Sequence, residues 1–370
     1  MVEQHKGAGC IGLQVSRTPW FTGANSDRKS RGRPVQGFRN FLEQHLDTLN
    51  EQVLQAFQGQ TEVADIEAYL YAPLERFAKT GGKRHRPLIC MLACQAVGGS
   101  LAQARSAALA IEHFQTAALI HDDIADDGLL RRGEPCMHRI TGEGLAINCG
   151  DLALSMVTQA VVEDPTLSDE LKIRVLRELS AMTIRTIEGQ ALDLGWARDK
   201  RFDIGIDDYF RMATLKTAHY SGAVPLACGA IIGGAATETI EALRSFGLDT
   251  GLAFQIQDDL LNLVGDGTTK DKDFRNDIIE GKRTLVVVRA LEDPRTKDEL
   301  IEILQQGSTD LDVLDRAVQI FEETGALAYA KDQADQLISR AKNKLLAIDL
   351  DPACRDLLLS MADFFVHRLR

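Results

Sequence analysis

The chain has 370 residues, 45% of them hydrophobic and 26% charged, and a formal net charge of −12. That composition is globular, and the acidity excludes a general nucleic-acid binder, whose domain would be basic. No apolar run reaches the roughly 18 uninterrupted residues of a membrane span, so none is expected. Seven cysteines without C-x-x-C spacing suit a reducing, cytoplasmic setting.

Residues 1–37, rich in small polar and basic residues, lack the apolar centre of a signal peptide and read as a mobile tail before one domain over 38–370. Phe38, Phe41, Leu42, Leu49, Val53 and Phe57 form a single helical stripe. A second helix after Thr61 turns Ile66, Leu70, Leu74 and Phe77 inward and stops at Gly81-Gly82. The basic loop Gly82-Lys83-Arg84-His85-Arg86-Pro87 then opens a helix over 88–97. It is either a solvated loop or an anion site at a helix N-terminus.

The next helix, about 101–127, is apolar and Ala-rich until it ends in Asp122, Asp123, Asp126 and Asp127. Pairs one turn apart crowd one rim and repel by a few tenths of a kcal/mol each. Oxygen-only ligands without a His or Cys constellation favour Mg²⁺. Arg131 and Arg132 follow, to neutralise these acids or to face an anion beside the metal. After Gly142 and Gly144 an apolar helix runs over 145–162. Over 169–197, Leu171, Ile173, Val175, Leu176, Leu179, Met182, Ile184 and Ile187 suggest an inner face, with Gln190 and Asp193 one turn apart near the end. Lys216 and Thr217 lie within an otherwise apolar helix, either reaching the surface or serving a site. The helix over 237–264 again finishes in paired acids, Phe254-Gln255-Ile256-Gln257-Asp258-Asp259, with Asn262 one turn on. A charged loop ends in Gly281-Lys282-Arg283-Thr284, and helices fill the rest. With no alternating strands, the expected fold is all-α: a single-domain bundle of ten or more helices around a central cavity.

Two acid clusters, scattered cations and an apolar space suit one kind of chemistry. Carboxylates repel a diphosphate directly, but with Mg²⁺ between them they hold it. Metal and cations stabilise a departing diphosphate, and an apolar cavity keeps water from a carbocation. That fits ionisation of an allylic diphosphate followed by coupling or cyclisation.

At these motifs the chain resembles the trans-isoprenyl diphosphate synthase (polyprenyl synthetase) family, which includes farnesyl and geranylgeranyl diphosphate synthases. The resemblance covers about residues 38–370 and rests on Asp122-Asp123-x-x-Asp126 with Arg131-Arg132, and on Phe254-Gln255-x-x-Asp258-Asp259. Gly82-Lys83-x-x-Arg86-Pro87, Lys216-Thr217 and Gly281-Lys282-Arg283-Thr284 match in type and order. It implies an isoprenoid-synthase fold, a homodimer, and several Mg²⁺ ions held by Asp122, Asp123, Asp126, Asp258 and Asp259. Arg131, Lys216, Lys272 and Lys282 would contact the allylic diphosphate, and Lys83, Arg86 and Arg132 the isopentenyl diphosphate. Thr217 and Gln255 would line the reacting centre. Three departures stand out: Gln115 where the family usually has a substrate-contacting histidine, Asn262 for a third aspartate, and the charged loop around Lys272.

In this family side chains before the first cluster set product length. Ala117 and Ala118 leave no floor at the farnesyl level, and Phe114 one turn deeper is the expected floor. The implied product is geranylgeranyl diphosphate, with C25 or longer as the alternative. A terpene cyclase would not need Lys83, Arg86 and Arg132, and a non-catalytic synthase subunit would not need both acid pairs.

Overall fold

The computed structural model describes residues 28–263 and 275–367. Residues 1–27 of the expected 1–37 tail, and Lys272, lie outside the described residues. Helix α1 (Arg28–Gln55) begins well before Phe38. Its stripe divides between two cores. Phe38, Phe41, Leu42 and Leu49 join the main core, whereas Val53 and Phe57 join a smaller one.

A short helix α2 (Ala64–Ile66), a π-helical stretch (Glu67–Tyr71) and α3 (Ala72–Lys79) follow. Leu74 and Phe77 are buried as expected, but Ile66 is 44% exposed, because α2 is a single loose turn ahead of the packed part of the segment. Helix α4 (His85–Ala96) is buried almost throughout, and α5 (Arg105–Ala125) carries the first acid cluster after a 3₁₀ turn (Leu101–Ala104). A two-residue antiparallel ribbon, β1 (Leu130–Arg131) with β2 (Glu134–Pro135), turns the chain into α6 (Met137–Thr141) and α7 (Glu143–Val162).

Helix α7 is apolar and long enough to cross a membrane by composition, but Ala146, Cys149, Ala153, Met156 and Val161 are buried within the fold. Helix α8 (Asp169–Arg198) corrects the expected inner face. Its buried residues are Val175, Leu179, Met182, Thr186, Gly189 and Asp193, a strict four-three spacing. Ile173, Ile184 and Ile187 fall outside that stripe and are 52%, 56% and 58% exposed. Hydrophobicity alone had placed them inside; helix phase puts them out.

From Ile206 to Ile232 one continuous rod changes character twice: α9 (Ile206–Ala213), a π-helical segment (Thr214–Ala223) and α10 (Val224–Ile232). π-Helical turns are rare and cluster at functional sites. Gly189 lets α8 close on this segment, since a Cβ there would stand 2.1 Å from the Lys216 backbone nitrogen. Helix α11 (Thr237–Leu263) crosses the same segment, where a Cβ at Gly247 would lie 2.6 Å from the Ala223 backbone. Close approach of three backbones lets Asp193 on α8 meet Lys216, and Gln255 on α11 meet Thr217, on the π segment.

The remaining helices are α12 (Asn276–Ile279), α13 (Leu285–Ala290), α14 (Lys297–Gln306), α15 (Leu311–Glu323), α16 (Ala326–Leu346) and α17 (Pro352–His367). Most of their apolar faces complete the main core around α11. A buried pair, Arg84 with Glu112, ties α4 to α5, and Arg84 also donates to Asn50 Oδ1 at 2.9 Å and to the Ala78 carbonyl at 3.0 Å. Arg84 therefore faces inward, away from the anion site that its loop suggested.

Candidate active site

The last two turns of α5 present the first acid cluster. Arg131 Nε donates to Asp123 Oδ1 at 2.7 Å, and its guanidinium reaches Asp122 at 3.7 Å. Gln190 Nε2 donates to Asp122 Oδ1 at 3.0 Å. Burial would raise Asp122, but Lys216, Lys282 and Arg131 together hold it below the usual carboxylate range. Asp126 goes the other way: burial and the Asp122 charge push it up, against Lys282. Burial likewise raises Asp123 despite its Arg131 partner. Asp127 points elsewhere, exposed and paired with Arg139.

The α11 cluster is wired differently. Tyr209 on α9 donates its hydroxyl to Asp259 Oδ2 at 2.9 Å, and Gln255 Nε2 donates to Asp259 Oδ1 at 2.7 Å. Thr217 donates to Gln255 Oε1 at 2.6 Å. Burial, reinforced by Asp277, pushes Asp259 up to about 8. Asp258 is the half-buried member of the pair. Asn262 Oδ1 accepts the Asp277 backbone N–H at 3.3 Å, so its amide ties α11 to the start of α12.

Two partly buried lysines carry ion pairs beside the first cluster. Lys216 donates to Asp193 Oδ2 at 2.5 Å; burial opposes its charge, but Asp193 and Asp122 outweigh burial and raise it. Lys282 donates to Asp126 Oδ2 at 2.9 Å and pairs with Glu280 at 2.6 Å, with Asp277 at 4.0 Å. Burial works against the Lys282 ammonium too, yet Asp277, Asp126 and Glu280 leave it well above its ordinary value. Glu280 is pushed up to about 7, chiefly by burial, with Lys282 opposing and Asp126 adding repulsion.

The basic loop contributes Arg86, which donates from Nη2 to Ser221 Oγ at 2.9 Å and to the Tyr220 hydroxyl at 3.1 Å, and lies 4.5 Å over the Tyr220 ring. Lys83 is exposed. Arg132, in left-handed backbone, donates to the Gly81 carbonyl and sits 5.6 Å over Phe77. Burial, with Arg84 close by, lowers Arg132 to about 10. Gln115 is buried and its Oε1 makes no hydrogen bond. Phe114 packs its ring 5.7 Å from Tyr220. Ala117 is fully packed in the smaller core with Phe57 and Met156, while Ala118 stays partly exposed beside the main one.

Composition and spacing alone left Asp193, Tyr209, Tyr220, Asp277 and Glu280 without a role. Asp193 and Gln190 carried a signal, polar residues one turn apart on an apolar helix; the others carried none.

Among the described residues no three His, Cys, Asp or Glu side chains converge at metal-ligand geometry. The donor chemistry fits Mg²⁺ nonetheless. Asp122, Asp123, Asp126 and Asp258 offer only hard oxygens. Asp123 Oδ2 is buried without a hydrogen bond, and Asp126 is raised by burial and by the neighbouring Asp122 charge, which a cation would offset.

Two acid-ended helices and ion-paired cations inside an all-α bundle fit the isoprenoid-synthase class of enzyme. The polyprenyl synthetase profile matches residues 67–321. A short chain isoprenyl diphosphate synthase of Methanothermobacter thermautotrophicus is 40% identical over 296 residues, 80% of this chain and 89% of the relative. A geranylgeranyl pyrophosphate synthetase structure from Pyrococcus horikoshii superposes with a TM-score of 0.81 at 32% identity, covering 90% of this chain and 98% of that one. A Corynebacterium glutamicum geranylgeranyl pyrophosphate synthase, complexed with isoprenyl diphosphate and magnesium, gives a TM-score of 0.76 at 28% identity over 90% and 99%. The chain belongs to the polyprenyl synthetase family and is a trans-prenyltransferase.

Proposed function

We propose that this enzyme joins isopentenyl diphosphate head-to-tail to an allylic diphosphate and extends it to geranylgeranyl diphosphate. The observation that carries the reading is the set of cations already poised on the acid walls: Arg131 on Asp123, Lys216 on Asp193 and Lys282 on Asp126. Each can exchange its carboxylate for a diphosphate oxygen without crossing the cleft.

Asp122, Asp123, Asp126 and Asp258 would hold Mg²⁺, which supplies charge neutralisation at the diphosphate oxygens. Arg131, Lys216 and Lys282 grip the allylic diphosphate, with Lys272 as a further expected contact. Lys83, Arg86 and Arg132 hold isopentenyl diphosphate, and Tyr220 and Ser221 fix the Arg86 fork. The allylic C–O bond breaks with its electron pair leaving on the diphosphate. The double bond of isopentenyl diphosphate then forms the new C–C bond, and a proton is lost to the departed diphosphate. Thr217 and Gln255, hydrogen-bonded to each other at 2.6 Å, would line the reacting centre, where their oxygens stabilise the transient cation.

The active protein is proposed to be a cytoplasmic homodimer. Ile147 and Val162 on α7, with Ile173, Ile184 and Ile187 on α8, are exposed apolar side chains of two adjacent helices. A second copy would cover them.

The test is incubation of the purified chain with Mg²⁺, isopentenyl diphosphate and each allylic starter, with products identified by mass. A C20 diphosphate supports the reading. Cyclised hydrocarbon, or no turnover, overturns it.

A further inference from the structure

We propose that Tyr209 is a positioning residue: acting through Asp259, it sets which way the Gln255 amide faces, so that an oxygen and not an NH₂ is presented to the carbon that becomes positive. The inference rests on the condensation proposed above.

The wiring has a direction. Tyr209 is fully buried on α9 and donates to Asp259 Oδ2 at 2.9 Å. The other carboxylate oxygen, Oδ1, accepts from Gln255 Nε2 at 2.7 Å. Both Asp259 oxygens serve as acceptors here, so Oδ1 takes the NH₂ end of the Gln255 amide. The carbonyl end is thereby turned the opposite way, where it accepts from Thr217 at 2.6 Å. A glutamine amide has two nearly isosteric ends of opposite polarity, and its orientation is decided by the partners around it. Here the deciding partner is Asp259, and the phenol of Tyr209 holds Asp259 in register.

The consequence is a sign rather than a strength. A Gln255 oxygen beside an allylic cation lowers its energy; an amide NH₂ in that place raises it. Fixed dipoles of this kind act without reorganisation during the reaction. Asp259 on this reading differs from its neighbour Asp258: both of its oxygens are committed within the protein, and its task is to hold Gln255. Nothing in the recurring acid motif separates the two aspartates. The Tyr209 contact, 50 residues away in sequence, does.

The experiment is a double-mutant cycle of Tyr209→Phe and Gln255→Leu, with steady-state constants and thermal melts for each protein. Tyr209→Phe is expected to lower kcat on the order of tenfold to a hundredfold, with the isopentenyl diphosphate KM unchanged. In the Gln255→Leu background, where no amide remains to be turned, the same change should have little further effect. A second readout is the slow hydrolysis of the allylic diphosphate without isopentenyl diphosphate, which should fall by the same factor because it shares the cation. If Tyr209→Phe does not fold, Asp259→Leu supplies the test, since it roughly keeps the volume and removes the acceptor for the Gln255 NH₂. It should lose kcat, again only while Gln255 is present. Wild-type kcat in Tyr209→Phe, or losses additive with Gln255→Leu, overturn the inference. A wild-type chain that makes no elongated diphosphate overturns the condensation itself, which is a separate result.

Discussion

Replacing Ala118 by Phe should shorten the product by one isoprene unit. Ala118 and Phe114 precede Asp122 by four and eight residues on the same helix, α5. At about 1.5 Å per residue they lie roughly 6 and 12 Å from the diphosphate end of the site. An isoprene unit spans four carbon–carbon bonds of about 1.5 Å, or roughly 5 Å when extended. A floor raised from Phe114 to position 118 therefore removes about one unit, turning a C20 product into C15. Ala118 is partly exposed, so the larger side chain should cost little stability. The assay is mass analysis of products from dimethylallyl and farnesyl starters, beside a thermal melt. Farnesyl diphosphate should accumulate, and the farnesyl starter should turn over poorly. A folded Ala118→Phe protein that still makes C20 or longer chains would refute the placing of the floor on this face of α5.

Ala117→Phe should behave differently, because Ala117 is buried in the smaller core that also holds Phe57 and Met156. Overpacking there costs about 1–3 kcal/mol, seen as a lower melting temperature in denaturation scans. Asp122→Asn should cut kcat by roughly a hundredfold or more at saturating Mg²⁺, and near-normal turnover would remove Asp122 from the metal ligands. Arg84→Met leaves the Glu112 charge buried and unpaired, so urea titration should report a loss of about 3–5 kcal/mol. Two opposed sets of groups should shape the pH dependence of the metal-free protein. Glu280, raised to about 7, and Asp259, raised to about 8, give stability that is present below their unfolded values and lost as pH rises through 7 and 8. His113 and His219, both lowered by burial to about 4, give stability that is present above pH 6.5 and lost as pH falls through 4. Melting curves from pH 4 to 9 check this, and Glu280→Gln should remove the part of the loss that falls between pH 4.5 and about 7.

The ends of α5 and α11 were legible in the sequence because two signals coincide there, helical periodicity and a sudden run of acids. The all-α class was legible for the same reason, since long 3.6-residue patterns leave little room for strands. Ile173, Ile184 and Ile187 were misplaced because residue type says how apolar a side chain is and not which neighbour its helix meets. Lys282 was assigned to the site, but its anchoring by Glu280 and Asp277 depends on a turn after α12 that no periodicity announces. Arg84 looked equivalent to Lys83 and Arg86 in the loop. Its left-handed backbone and the acid at position 112 separate them.

The π-helical segment over 214–223 makes the site sensitive to chain length in a way that composition does not reveal. Its widened turns set Lys216 toward α8 and Thr217 toward α11, then Tyr220 and Ser221 toward Arg86. Such a segment is equivalent to an ordinary helix with an added residue, so its unit of change is insertion and deletion. Removing one residue from 218–219 would restore regular winding and rotate everything beyond it. The grip on one substrate would lose register with the chemistry on the other while every functional side chain was still present. In this stretch the spelling can be conserved and the meaning lost.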